Sequence, residues 1–510
     1  MASTQPRPIK AIGFIVCTIL SAFLIRATAI WWTRPDFVGW FNHSYYYWLQ
    51  VRSVLTDGAL AYSDMPLLFW LYSGLAWVLQ PFITEDMAII QSSRLFMSVI
   101  PALLPMVFYR LILAVKPESV EQLSSKLLLL SSGILPLSIV HMPEILQKNM
   151  LGMVLLMCCL YAIHGWIKHG SAKWLMAMAV VISGVALTHL GSALACLLLL
   201  LAWYLTAAIQ STNRRVLLNY TLLIATAVLL IFSYLYAFNP RVHTRVQLLI
   251  NELATMSAIE LALTTVALIL MAGVVRLLFR WFDKYDRLIP TSLSVLTRIC
   301  LVWALLLLAP VWPGEMASRL ILFLPLPILI ILYAISFIPL RFYASRLLIG
   351  GWVIASTAMM IGEIVSLHLT EPNKALVHQE LLKMNNQYQL SDRDLIISPY
   401  ATHALTSWLF RSKGSMITAV EANMFGRYER IFVLNTLQRP APRLQPGEER
   451  LLTSEFQAYQ TTRHDIPMPD GWTADPNYTQ FSLYQLDGLP ENWIFNDQLK
   501  WSGWRSTVPE

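Results

Sequence analysis

The chain has 510 residues, of which 56% are hydrophobic and only 13% charged, with 20 methionines and 18 tryptophans. A soluble protein of this length rarely carries so few charges. Apolar stretches of about 18 or more residues, enough to cross a hydrocarbon core of roughly 30 Å, recur from the N-terminus to position 366, which excludes a soluble globular class and points to a polytopic helical membrane protein.

The formal net charge of +7 would suit a polyanion. The basic residues instead fall in short clusters between hydrophobic segments, so the charge is topological and no nucleic-acid partner is expected. Cysteines 17, 158, 159, 196 and 300 all lie in apolar segments and imply no disulfide framework.

The first apolar helix, 11–31, has no strongly basic leader before it and no small-residue cleavage site after it, and reads as a retained anchor. A long outer loop, 32–87, follows. Within it Asn42, Tyr45 or Tyr46, Leu49 and Arg52 recur at helical spacing, which predicts a surface helix. Its many rings, Trp31, Trp32, Trp40 and Tyr45 to Trp48 among them, suit a membrane-interface belt. Asp57 before Gly58 reads as a turn. Asp36 follows Pro35 directly after the first helix and reads either as a cap or as a carboxylate at the membrane surface. Asp64 precedes "MPLLFW", where a cap for the next helix competes with a site role.

Further crossings are predicted at 88–110, 126–142, 149–167, 174–188, 190–209, 216–237, 258–276, 291–311, 319–338 and 347–366. That makes about eleven in all, with ends uncertain by two to four residues. The Lys and Arg asymmetry of the short loops places the N-terminus inside, and an odd number of crossings then places everything after 367 outside. That last region has ordinary charge. "DLIISPY", "GSMITAV", "RIFVLN" and "FSLYQLDG" read as strands and "ATHALTSWLFRSK" as an amphipathic helix, so 367–510 is expected to be a soluble α/β domain beside the membrane domain 1–366. No phosphate-cradling glycine loop occurs, because "SKGSM" lacks the spacing.

Polar groups gather at the predicted outer ends of the helices. "HMPEILQKNMLG" spaces Glu144 and Lys148 for one helical face, "ALTHLGSA" sets His189 in a break between helices, and "WPGEMASRLILFLPLP" puts Glu315 four residues before Arg319. Taken singly, each is a cap, an intrahelical pair or a satisfied histidine. Together they converge on one leaflet.

These segments resemble the glycosyltransferase C superfamily, integral membrane enzymes that take a sugar from a polyprenyl phosphate or diphosphate carrier. The resemblance runs over the whole membrane region: the first helix, the outer loop ending "SDMPLLFWL", then "SSRLFMSVIPALLPMVFYRL", "PEILQKNMLG", "ALTHLG" and "GEMASRLILFLPLP", with a soluble outer domain after them. It implies an active site at the outer membrane boundary. A carboxylate there deprotonates the acceptor, and Lys, Arg or a divalent cation such as magnesium or manganese stabilises the leaving lipid phosphate. Asp36, His43 and Asp64 are then the candidate catalytic groups. Asn42, Arg52, Glu144, Lys148, His189, Glu315 and Arg319 are candidate substrate contacts, and Asp36 and Glu144 candidate metal ligands. One position departs from the pattern: similar enzymes carry an acid just before the Tyr-rich surface helix, where this chain has Asn42 and His43.

The resemblance implies a membrane transferase of the bacterial inner membrane, with a polyprenyl-linked sugar as donor and a glycan, lipid or protein as acceptor, in cell-envelope or exopolysaccharide synthesis. The competing readings are a non-catalytic member that scaffolds a polysaccharide assembly, and a transporter. A transporter should carry mid-helix charges and inverted halves. Arg26, Arg298 and Glu363 are the main interior charges, and no second half mirrors the first.

Overall fold

The computed structural model describes residues 8–33, 41–62, 64–134, 147–210, 226, 257–312, 314–339, 344–370, 372–398, 403–416, 427–436, 481–486, 493–496 and 501–504. The chain forms two compact units, Met1–Ile30 with Leu60–Ile364, and Trp31–Ala59 with Val365–Glu510. The predicted 32–87 loop is thus divided at Ala59, and its first part groups with the C-terminal residues.

The chain opens with α1 (Pro8–Thr33) and α2 (Phe41–Asp57), the latter ending where Gly58 takes φ 69°, a conformation only glycine adopts freely. The first unit continues with α3 (Leu67–Leu79), α4 (Glu85–Ala102) and α5 (Leu104–Val115). Sequence periodicity reads the last two as one crossing. Pro101 and Pro105 interrupt it, because each lacks an amide hydrogen and crowds the preceding turn. Glu85 and Asp86 occupy the first turn of α4, where acids complement the helix dipole.

Next come α6 (Leu123–Ile134), α7 (Gln147–His169) and α8 (Ala172–Ala186), the last two joined through Gly170 at φ 60°. The unit closes with α9 (Leu190–Gln210), α10 (Ala258–Tyr285), α11 (Thr291–Leu307), α12 (Gly314–Ile321), α13 (Pro325–Ile335) and α14 (Ala344–Thr370). The predicted 319–338 crossing is also divided, with Pro325 starting α13 in the first-turn position that tolerates proline. The predicted 216–237 crossing lies outside the described residues except for residue 226.

Six of the described segments are apolar and long enough to cross a membrane: Ile12–Trp31, Glu85–Val115, Gln147–His169, Leu190–Ile209, Ala262–Tyr285 and Ala344–Gly362. α10 and α14 leave Leu263, Ile269, Leu270, Leu347 and Ile354 exposed. In water such faces would be unstable, and in hydrocarbon they are ordinary lipid contacts. This is an integral membrane protein.

Interior polar groups are tied locally. Arg298 on α11 donates to Asp283 at 2.7 Å and to Asp286 at 3.2 Å, and Asp286 also accepts the Ser294 hydroxyl. The Arg298 charge that a transporter reading would use is therefore neutralised by the end of the preceding helix. Trp303 Nε1 donates to the Ala195 carbonyl at 2.9 Å and pins α11 to α9.

The second unit contains α2, α15 (Pro372–Tyr388), β1 (Asp394–Ser398), α16 (His403–Phe410), β2 (Lys413–Met416), β3 (Arg430–Thr436), β4 (Phe481–Leu486), β5 (Trp493–Asn496) and β6 (Trp501–Trp504). The main sheet has the order β2-β1-β3-β4, the first three strands parallel and β4 antiparallel to β3. β1 is buried along its whole length, as a central parallel strand under helices should be. The α/β class expected for this region is the one observed. β5 and β6 form a separate antiparallel pair.

Arg430 and Asp394 brace the sheet entrance. The guanidinium makes two bonds of 2.8 Å to the carboxylate and also donates to the carbonyls of Tyr388 and Gln389 at the end of α15. Burial raises the Asp394 carboxyl, but the Arg430 and Ser391 hydrogen bonds outweigh it and hold it below the ordinary carboxylate range.

Candidate functional site

The first unit brings Asp64 and Lys148 together. Asp64 stands in the non-helical residues before α3, where its Oδ1 accepts the Met65 amide at 2.7 Å. It does not cap α3, whose N-cap is Pro66 and carries no side-chain cap bond. Its Oδ2 accepts instead from Lys148 Nζ, on the first turn of α7. The pair is well buried, with side-chain exposures of 6% for Lys148 and 19% for Asp64. The ammonium also lies 4.8 Å from the centroid of the Phe69 ring on α3. An ion pair this dry adds little net stability but strongly constrains which charges can coexist there.

Backbone contacts fix the surroundings. The Leu67 amide donates to the Leu187 carbonyl at 3.1 Å, which anchors the Asp64 segment to the turn between α8 and α9. That turn holds His189, whose Nδ1 accepts the Gly191 amide at 3.1 Å. The histidine thus supports the start of α9. Gly152, one turn below Lys148, lets other elements approach α7: a Cβ there would lie 2.7 Å from Ser192 Cβ and 3.7 Å from the Phe323 ring. α12, which bears Arg319, packs on α9 and α11. The Asp64 segment, the start of α7, the His189 turn and the link after α12 therefore gather around one end of α7.

Three polar residues that sequence reasoning passed over sit here too. Gln147 and Asn149, each 1% exposed, flank Lys148, and Ser192 is fully buried. Neither the oxygen nor the nitrogen of either amide has a hydrogen-bond partner, and the Ser192 hydroxyl has none either. Buried amides and hydroxyls of this kind are usually paired, with protein groups or with water. The signal was present as "QKN" opening an otherwise apolar helix.

Solved structures that match over nearly the full length include two of ArnT. ArnT from Cupriavidus metallidurans bound to undecaprenyl phosphate aligns over 93% of this chain and 98% of its own, with a TM-score of 0.51 and 11% identity. The same protein in the apo state aligns over 88% and 95%, with a TM-score of 0.51 and 12% identity. The chain has the ArnT fold. The polytopic all-α membrane fold expected from the resemblance is therefore the one found. No protein-family model matches the sequence, and no curated protein does.

Within this ArnT-like frame the remaining candidates fall into two groups. Asn42 and His43 lie at the start of α2 and Glu315 on α12 by their backbone, with side chains outside the described residues, and Asp36 and Glu144 lie outside them altogether. Arg52 belongs to the second unit, where its guanidinium covers the Trp408 ring at 3.7 Å and donates to the Trp408 carbonyl at 3.2 Å. Among the described residues no group of three or more His, Cys, Asp and Glu side chains gathers as a metal site.

Proposed function

We propose that the protein is a membrane glycosyltransferase that takes a sugar from a polyprenyl phosphate or diphosphate carrier and passes it to a glycan, lipid or protein acceptor at the outer face of the membrane. The observation that carries this is the buried Lys148 and Asp64 pair set in an ArnT fold: a fixed cation beside a carboxylate is the minimum equipment for the chemistry. ArnT itself has been seen with undecaprenyl phosphate. In the reaction the bond from the anomeric carbon to the carrier phosphate breaks and its electron pair leaves with the phosphate, which Lys148 neutralises. The acceptor oxygen bonds to the anomeric carbon as its proton passes to Asp64. Charge develops on the carrier oxygen only as the bond breaks, so a preorganised cation there favours the transition state over the bound donor.

The protein would act in cell-envelope or exopolysaccharide synthesis in a bacterial inner membrane, with its N-terminus cytoplasmic and its C-terminal unit periplasmic. Mass spectrometry of lipid-linked intermediates in a deletion strain tests the reading. The strain should accumulate a polyprenyl-linked sugar that the intact gene clears, while Lys148→Met and Asp64→Asn each lower clearance by about 10²-fold or more. Clearance at the wild-type rate by both variants would sink it. The Asn42 position favours a second reading, a carrier-binding scaffold without transfer, for which both variants would complement and truncation at 367 would not.

A further inference from the structure

Of the six described crossings α10 is the least covered by other described residues, and it ends in a row of cations. Arg276, Arg280 and Lys284 recur every fourth residue and Arg287 follows in the turn after the helix, so the four share one face. All four residues are exposed. We propose that this row is a docking surface for the headgroups of anionic membrane phospholipids, separate from the Lys148 site and independent of the transferase reading.

Charge is the first support. The acids at this end of the helix, Asp283 and Asp286, are both taken by Arg298 on α11, at 2.7 Å and 3.2 Å, and Asp286 also accepts the Ser294 hydroxyl. Among the described residues none of the four cations has an ion-pair partner, and Lys284 Nζ lies over the Tyr285 ring at 5.9 Å. Like charges four residues apart on a helix repel, so the row is unfavourable until anions share it. The usual bias of Lys and Arg toward one side of a membrane accounts for cations in a loop. It does not require three of them to line one face of the helix itself while the local acids are held elsewhere.

Depth is the second. Counted from Ala262, where the apolar segment starts, about 20 residues or roughly 30 Å of helix reach the level of Arg280, which is the thickness of the hydrocarbon core. Arg276 stands one turn inside that level, a depth from which a long cationic side chain can still reach the phosphates, and Lys284 and Arg287 stand beyond it. Trp281 and Tyr285, ring centroids 5.2 Å apart, lie at the same level, as rings that anchor a helix at the membrane boundary do. Toward the bilayer centre the same face continues through Gly273, with open space around it, to the exposed Ile269 and Val266. A lipid held by its phosphate on the row therefore has an apolar track for its acyl chains directly below.

Native mass spectrometry of the full chain in detergent, titrated with phosphatidylglycerol and separately with phosphatidylcholine, tests this. Wild type should bind phosphatidylglycerol about tenfold or more tighter, and the preference should weaken as ionic strength rises. Arg280→Gln should lower the preference by about fivefold, and Arg276→Gln, Arg280→Gln, Lys284→Gln and Arg287→Gln together should abolish it. Replacing the three arginines by Lys keeps the charges and should keep the preference, which separates loss of charge from loss of fold. No preference in wild type, or one that survives the fourfold change to Gln, would overturn the docking surface and leave the transferase reading intact. If the fourfold variant does not fold, an undiminished preference in both Arg276→Gln and Arg280→Gln overturns it equally. A preference lost in Lys148→Met and kept in the fourfold variant would move the lipid to the Lys148 site. Inorganic phosphate competing as well as the lipid would overturn the assignment to a phospholipid.

Discussion

His378 on α15 lies beside the Tyr45 hydroxyl of α2, with 3.3 Å between its Nδ1 and that oxygen, and burial pushes its pKa below the ordinary histidine value. Burial therefore favours the neutral ring in the folded protein. A folded value below the unfolded one gives stability that is fully present above the unfolded pKa of about 6.5 and is lost as pH falls through the lowered folded value. Amide hydrogen exchange of α2 and α15 should accordingly quicken as pH drops below about 6.5, after correction for intrinsic rates, and His378→Gln should remove that acid dependence. An unchanged pH profile in the variant would rule out the histidine as its source. At this scale the sequence was informative about residue types and silent about partners. The spacing of Glu144 and Lys148 suggested an intrahelical pair; Glu144 lies outside the described residues, and the contact of Lys148 with Asp64, 84 residues away, is one that no spacing predicts. Periodicity reports which face a residue occupies, and only the packing of helices decides what meets that face.

Helix α7 and helix α8 form a tight hairpin because Gly165 leaves room for a ring. A Cβ at Gly165 would lie within 2.6 Å of Trp174 Cε3. The ring is flanked by Tyr161, centroids 5.3 Å apart, and by His169, stacked at 6.5 Å, which restricts how it can move aside. Gly165→Ala should therefore lower stability by about 1–3 kcal/mol despite the better helix propensity of alanine. Thermal unfolding of the detergent-solubilised chain measures this, and an unchanged midpoint would mean that the hairpin repacks without strain. Elements were the most legible level of this protein. Apolar length located most of the described crossings to within a few residues, although α10 runs nine residues past the expected end at 276, to Tyr285, and alternation between apolar runs and turn signals located β1, β3 and β4. At Pro101 to Pro105 and before Pro325 the prolines divide the helix locally, but their missing amides leave the apolar pattern unaltered, so Glu85–Val115 and Arg319–Ile335 each remain one apolar span, as hydrophobic continuity reads them.

The grouping of Trp31–Ala59 with the C-terminal residues is a property of the whole molecule that no local pattern carries. The rings of α2 read naturally as a membrane-interface belt. In the fold Trp48 instead packs on Trp408, centroids 5.4 Å apart, and both are nearly inaccessible at 2% and 6% exposure. Arg52 completes the contact by laying its guanidinium over the same indole while donating to its carbonyl. A planar cation suits this position because it can stack and donate at once, which an ammonium cannot. Arg52→Lys should then cost nearly as much stability in the second unit as Arg52→Ala, and a double-mutant cycle with Trp408→Ala should give a coupling of about 1–2 kcal/mol. Hydrogen exchange of α2 and α16 in the intact chain supplies the free energies without isolating either unit. Additive losses from Arg52→Ala and Trp408→Ala would show that the stacked geometry contributes nothing. A positive coupling instead fixes Arg52 as the clasp that joins α2 to α16.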